Sequence, residues 1–309
     1  MKGVGSVPKP DAYRLVSISQ IKENPHPLMR LYRYIVGFFF GSTLALSMTT
    51  IWADTGSGQR TLALVIGAFF DPQPLPALPD LTLAEALEVQ DYLVMNLRPD
   101  YGPVAGYKRA QTAGADLVTA LLLENMFTST GSTLTVPAGV AIATELELLV
   151  RVGSGDLNQA TNRAQAAATI AEVLPAVEVR DVALVLAQQH VAPAAAAVNG
   201  GARYLVLGAP LAIPLVEGAR AWSGAFAAQL YDSTAALLAS GAGLAEAEHP
   251  LDVVLRLKAA LHARGRTLQA GDLLALGSLG PSVAAPPPGR LEAVFQTPFG
   301  NGRVIFALR

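Results

Sequence analysis

Residues 143–153 read ATELELLVRVG, and the placement of this run decides the fold. Its leucines and valines mark a strand with an apolar setting, yet Glu145 and Glu147 lie inside it. Strand side chains alternate, so both acids project from one face while Leu146 and Leu148 project from the other. Two carboxylates held that close oppose each other's ionisation, which leaves two outcomes: one acid stays protonated, or a cation neutralises the pair. Oxygen donors at close quarters suit hard ions such as Mg²⁺ or Mn²⁺. The plain alternative is a solvated face on an edge strand. A third acid offers itself as a partner. The stretch EVLPAVEVRD (172–181) sets Glu178 in another apolar run, with Arg180 on the same face and Asp181 following.

Outward from these two runs, the chain from Gly102 onward reads as short apolar strands divided by glycines. They are predicted near Ala105–Arg109, Ala143–Val152, Ala176–Arg180, Arg203–Leu207, Ala225–Tyr231, Ala235–Leu238, Asp272–Leu276, Leu291–Gln296 and Arg303–Leu308. Asn301-Gly302 reads as the turn of a terminal hairpin. Two helices interrupt the strands, one over Leu157–Val173 and one over Pro250–Ala263, with Pro250 at its first position and Gly265 ending it. Upstream, the proline-rich DPQPLPALPDLT leads into a helix whose Thr82 and Glu85 have capping-box spacing, with an apolar stripe through Leu83, Leu87 and Val94. Many strands, few helices and close turns predict an α+β fold rather than alternating βαβ units. The expected organisation is a leader over 1–53, a small helical N-terminal cap over 54–101, and one main domain over 102–309.

The 309 residues are 51% hydrophobic and 15% charged, enough for a substantial core. A net charge of −2 gives no electrostatic footprint for nucleic acid. The absence of cysteine excludes disulfides, zinc–thiolate sites and thiol catalysis. At the N-terminus, Arg30 and Arg33 precede an uncharged stretch, Tyr34–Ala53, that ends in small residues before Asp54. That layout is a secretory signal, with Met29 as an alternative start, or, if uncleaved, a single membrane anchor. The expected location is therefore exported, with membrane contact only through residues 34–53.

Taken together, ATELELLVRV, LPAVEVRD, VNGGARYLVLG and EHPLDVVLRLKAALHARGRTLQAGDLLALGSLGP resemble the fumarylacetoacetate hydrolase superfamily. The likeness runs from about Leu81 to Arg309 and is strongest to the branch of 2-keto-4-pentenoate hydratase and 4-oxalocrotonate decarboxylase. AGYK (Ala105–Lys108) sits where that family has its GYK strand. The resemblance implies a mixed β-sandwich roll or barrel of the fumarylacetoacetate hydrolase C-terminal type. It also implies that Glu145, Glu147 and Glu178 hold Mg²⁺ or Mn²⁺. Lys108 becomes the catalytic candidate, for proton transfer or for holding a substrate carboxylate, while Gly277, Ser278, Gly280 and Asn199 become substrate-binding candidates. The implied activity is a hydratase or decarboxylase, a lyase acting on a small 2-oxo or 2-hydroxydienoate acid through a metal-stabilised enolate, in a homo-oligomer. Hydrolysis of acylpyruvates, as in other relatives, stays open beside it.

The chain also departs from that pattern. The family's EPDYG-like aspartate segment has no counterpart after Lys108, where Asp116 and Glu124 are the nearby acids. VNGGA replaces a DNASS-like turn, and Leu276 stands in place of a threonine. A family member that binds a metal and a 2-oxo acid without turning it over, or an exported scaffold, is the alternative these losses raise.

Overall fold

Thr82 starts a helix as its spacing to Glu85 requires. In the computed structural model, Thr82 Oγ1 accepts from the Glu85 amide at 3.3 Å and Glu85 Oε2 accepts from the Thr82 amide at 2.8 Å. The structure describes residues 56–309 apart from 71–74, 79, 111–116, 137–139, 183, 185–191, 213–221, 223–224 and 245–247; the leader expected over 1–53 lies outside the described residues. All described elements belong to one compact unit, Trp52–Arg309.

Two helices come first, α1 (Gly56–Phe70) and α2 (Leu83–Tyr101). The buried face of α2 runs through Ala86, Val89, Gln90, Leu93, Val94 and Leu97, so the core stripe includes Val94 but is rotated away from Leu83 and Leu87, which are half-buried. The strands follow in chain order: β1 (Val104–Ala110), β2 (Val118–Leu123), β3 (Phe127–Ser129), β4 (Thr133–Leu134), β5 (Ile142–Val152), β6 (Ile170–Asp181), β7 (Ala202–Leu207), β8 (Leu211–Ala212), β9 (Ala227–Tyr231), β10 (Leu237–Ala242), β11 (Leu273–Ser278), β12 (Val283–Ala284), β13 (Gly289–Thr297) and β14 (Gly300–Leu308). Between them lie α3 (Arg163–Ala168), α4 (Ala192–Ala197) and α5 (Pro250–Ala263). The fold is α+β.

One sheet runs β2-β1-β11-β5-β6-β7-β3, with β12 also on β5 and β8 also on β6; the other runs β10-β9-β13-β14-β4. The first sheet is rolled. Strands β2 and β3 stand at its two ends, yet only Glu124–Met126 separates them in sequence. A chain that crosses from one edge to the other in so short a step requires the sheet to curl back on itself. Contact across the roll agrees: a Cβ on Gly106 of β1 would lie 3.1 Å from Phe127 Cζ of β3.

Rolling gives the sheet an inside and an outside. The inside holds a small apolar plug of Leu122, Leu149, Leu174, Ala176, Leu205, Leu273 and Ala275. The outside carries Leu146, Leu148, Val150, Val177 and Val179 into the main core, together with Phe295, Val304 and Phe306 of the second sheet and Leu251, Val254 and Leu257 of α5. Helix α5 begins at Pro250 and ends at Ala263, as its sequence signals. His249 caps it, its Nδ1 accepting from the Leu251 amide at 3.2 Å. Asp181 at the end of β6 takes two hydrogen bonds from Arg203, which also donates to the Phe69 carbonyl at 2.9 Å and so ties α1 to the sheet.

Three local expectations give way to tertiary structure. The helix expected over Leu157–Val173 is only a 3₁₀ turn at Gly155–Gln159 and the six-residue α3 capped by Asn162. From Ile170 the chain is strand, because Val173 and Leu174 pair with Val150 and Leu149; cross-strand packing overrides the helix propensity of the preceding alanines. The terminal hairpin exists, but its register pairs Thr297 with Gly300, so Pro298-Phe299 forms the turn and Asn301-Gly302 lies within β14. Gly302 is needed there because any Cβ would lie 2.2 Å from Pro175 Cγ. The strand expected from Ala235 begins at Leu237, since Asp232 Oδ1 closes a turn by accepting from the Thr234 and Ala236 amides.

Gly241 of β10 packs against the loop that follows β11. A Cβ there would lie 1.9 Å from the Leu279 carbonyl oxygen and 2.5 Å from Gly280 Cα. Both obstacles are backbone, which cannot step aside cheaply. The substitution Gly241→Ala is expected to lower stability by about 2 kcal/mol or more, read as a shift in the denaturant midpoint at constant m-value.

Candidate metal centre

Register brings the three acids together. In the β5–β6 ladder Glu145 lies directly opposite Glu178, and Glu147 opposite Ala176, so all three glutamates share the inner face of the roll. A slip of one residue would exchange them for the leucines and valines of the outer face. Their carboxylate oxygens fall within 4.8 Å of one another, and relative exposures of 7%, 3% and 0% for Glu145, Glu147 and Glu178 put the cluster out of solvent.

Two cations reach the cluster from different strands. Lys108 stands on β1, three strands away from β6 along the sheet, roughly 14 Å of strand spacing, yet its Nζ donates to Glu178 Oε1. Only a curled sheet lets a lysine span that gap, so the ion pair depends on the roll. Arg180, two residues beyond Glu178 on β6, donates through Nη1 to Glu145 Oε1. Among the described residues, Glu147 receives only a backbone bond, from the Gly277 amide at 3.1 Å. Burial, then the charge of Glu178, pushes the Glu147 carboxyl well above its ordinary value, against the pull of Lys108. Burial disfavours the Arg180 cation, but Glu145 and Glu178 outweigh it and raise Arg180 above the usual guanidinium value.

Two side-chain atoms of the cluster, Glu178 Oε2 and Arg180 Nε, are left without a partner. Glu178 Oε2 is fully buried and accepts no hydrogen bond, a costly state for a carboxylate oxygen. A buried triad of hard oxygen donors with an orphaned lone pair fits a divalent cation. The residues that would hold it are Glu145, Glu147 and Glu178.

Around the acids, one pocket is lined by Lys108, Arg109, Gly277 and Ser278 together with Glu145, Glu147 and Arg180; Ala110, Ala195 and Gly200 are its small-residue walls. Gly277 has φ +116 at the irregularity where β11 shifts register against β5, and that conformation turns its amide onto Glu147. Ser278 is buried, its Oγ donating to the Gly280 carbonyl at 2.8 Å.

The other two substrate-binding candidates do not line this pocket. Gly280 packs against Gly241. Asn199 uses both ends of its amide on one residue of β2, its Oδ1 accepting from the Leu121 amide and its Nδ2 donating to the Leu121 carbonyl, each at 2.8 Å. It thereby fixes the turn that presents Gly200. Glu124 is exposed beside Gly102, and Asp116 lies outside the described residues.

Sequence reasoning placed Arg180 on the Glu178 face but not in the site. The i, i+2 spacing carried the signal, and the missing fact was that Glu145 lies across the ladder. Arg109 and the wall residues left no such trace.

With Lys108 removed, Glu178 would be a buried and wholly unpaired carboxylate. Lys108→Met is expected to destabilise the ion-free protein by about 3 kcal/mol in denaturant unfolding, and adding Glu178→Gln to recover at least about half of that.

No protein-family model matches the chain, and no curated protein does. Among solved structures, 4-oxalocrotonate decarboxylase from Pseudomonas putida G7, complexed with magnesium and adipate, matches with a TM-score of 0.65 at 19% identity, over 81% of this chain and 98% of that one. The same enzyme complexed with calcium and acetate gives a TM-score of 0.65 at 18% identity, over 81% and 98%. A probable 2-hydroxyhepta-2,4-diene-1,7-dioate isomerase from Mycobacterium abscessus gives 0.49 at 16% identity, over 74% and 90%. The chain has the fold of 4-oxalocrotonate decarboxylase, the architecture that its likeness to the fumarylacetoacetate hydrolase superfamily implied.

Proposed function

We propose that this protein is a divalent-metal-dependent lyase, a hydratase or decarboxylase, acting on a small 2-oxo acid. The observation that carries the reading is the buried triad Glu145, Glu147 and Glu178, with Glu178 Oε2 unpartnered among them. Its support from likeness is that the Pseudomonas enzyme of the same fold is complexed with magnesium or calcium together with a carboxylate ligand. Glu145, Glu147 and Glu178 would hold a divalent ion, which would supply Lewis acidity toward a bound 2-oxo acid.

The chain's own groups do the remainder. Lys108 lines the same pocket from β1, and in this reading it holds the substrate carboxylate or carries a proton. Gly277 sets the orientation of Glu147, and Ser278 forms the adjoining wall. The leucines and alanines of the plug behind the acids keep water from that side of the site. A second reading, binding of metal and 2-oxo acid without turnover, is favoured by one specific feature. Apart from the acidic triad, the titratable groups that line the pocket among the described residues are Lys108, Arg109 and Arg180, and none of these is a carboxylic acid to relay protons.

Calorimetric titration of the full chain with Mn²⁺ tests the site. Binding is expected, weakened at least about tenfold, or about 1.4 kcal/mol, by Glu147→Gln; equal affinity in the two proteins would falsify the assignment. Magnesium-dependent loss of a dienoate or oxalocrotonate chromophore separates the lyase from the binding protein.

The same site sets a pH dependence. Because Glu147 titrates well above the usual carboxylate range, the folded protein takes up a proton there that the unfolded chain releases. Its contribution to ion-free stability therefore declines as pH rises from the ordinary carboxylate range through that raised value. Ion binding requires the ionised form, so Mn²⁺ affinity and the accompanying gain in Tm are both expected to grow as pH rises through the same window. Calorimetry and melting curves at stepped pH check this, and a flat profile would contradict it.

A further inference from the structure

Arg180 stands in this pocket with more donors than it uses. Its Nη1 is committed to Glu145 Oε1, but its Nε is buried and has no partner. It lines the same space as Lys108, whose single ammonium is likewise committed to an acid of the triad, Glu178. Without an ion, the two resident cations answer Glu178 and Glu145 one for one. Nothing is then left over to receive an anion, and Glu147 adds a further acid. With a doubly charged ion on the three glutamates, two positive charges join three negative and two positive ones. The cluster carries a net positive charge in a pocket shielded from solvent, and both cations lose their claim on the acids.

We propose that Arg180 is a substrate-positioning residue that exchanges partners, holding Glu145 while the site lacks its ion and taking the substrate's carboxylate once the ion is bound. This rests on the metal-site reading above and adds an order to it: ion first, acid second. A guanidinium suits the task because its fork presents several donors in one plane, so the edge carrying the idle Nε can meet a carboxylate with two bonds, which the point charge of Lys108 cannot do. Arg180 thus acts on the two ligands with opposite sign. It competes with the ion for Glu145, and it attracts the acid. The coupling is reciprocal, so a bound 2-oxo acid holds the ion more tightly by the same factor that the ion favours the acid.

Calorimetry on the full chain reads both effects, with Mn²⁺ and pyruvate as probes. Wild-type protein is expected to bind pyruvate at least about tenfold more tightly with Mn²⁺ than without it. Arg180→Met is expected to bind Mn²⁺ about fivefold or more tightly than wild type, and its Mn²⁺-loaded form to bind pyruvate about tenfold more weakly. Arg180→Lys, which keeps the charge and serves if the methionine variant folds poorly, should recover a large part of the pyruvate affinity; a purely structural arginine would show no such rescue. Weaker or unchanged Mn²⁺ binding in both variants, or pyruvate affinity indifferent to Mn²⁺ or to Arg180, overturns the proposal while leaving the metal site standing. Failure of the wild-type chain to bind Mn²⁺ overturns both.

Discussion

Five charged side chains are packed into the end of a rolled sheet, and their mutual placement constrains much of the surrounding structure. Three glutamates within 4.8 Å of one another cannot all remain ionised beside an apolar plug unless opposite charge is brought to them. Lys108 and Arg180 bring it, each to a different acid. Because Lys108 comes from β1 and Glu178 from β6, their pairing demands curvature of the sheet; because Glu145 and Glu178 are cross-strand neighbours, it also demands one register of β5 on β6. Shape and alignment are thus joined to the same electrostatic requirement.

The surroundings hold this arrangement from several directions. The amide of Gly277 reaches Glu147 because a left-handed residue interrupts the regular pairing of β11. The loop that follows is pinned where Gly280 meets Gly241 of the second sheet, an approach too close for any side chain. On the other flank, Asn199 locks the turn before β7 onto the backbone of β2 and so sets Gly200 close to Lys108. Residues that never line the pocket therefore help decide its dimensions. A fold of this kind hosts different reactions, and the activity proposed for the chain rests on these groups rather than on architecture alone.

The site contains more cationic groups than a metal centre needs. Three acids with one divalent ion would stand at a single negative charge, and Lys108 alone would neutralise it. The second cation, Arg180, makes the loaded site positive, which is a property suited to an acidic ligand. Among the described residues, Arg203 and Asp181 form a separate buried pair with a different duty, fastening α1 to the sheet through the Phe69 carbonyl. Both arginines pair with buried acids, but of the two Arg180 lines the pocket and keeps a donor idle.

Much of this was legible from the residues alone. The alternation in ATELELLVRVG assigned Glu145 and Glu147 to one face, because a strand repeats every two residues regardless of its neighbours. The apolar runs, the capping box at Thr82 and the Pro250 start of α5 were readable for the same reason, since each is a contact between residues close in sequence. Interactions between distant residues were not readable in this way. Ile170–Leu174 became strand because β5 offered a partner, the terminal turn moved to Pro298-Phe299 because register follows the whole ladder, and Gly302 was required by Pro175 from elsewhere in the chain. The meeting of Glu178 with Glu145, and of Lys108 and Arg180 with both, depends on sheet order and curvature. Those are set by the packing of the entire core, and no local pattern encodes them.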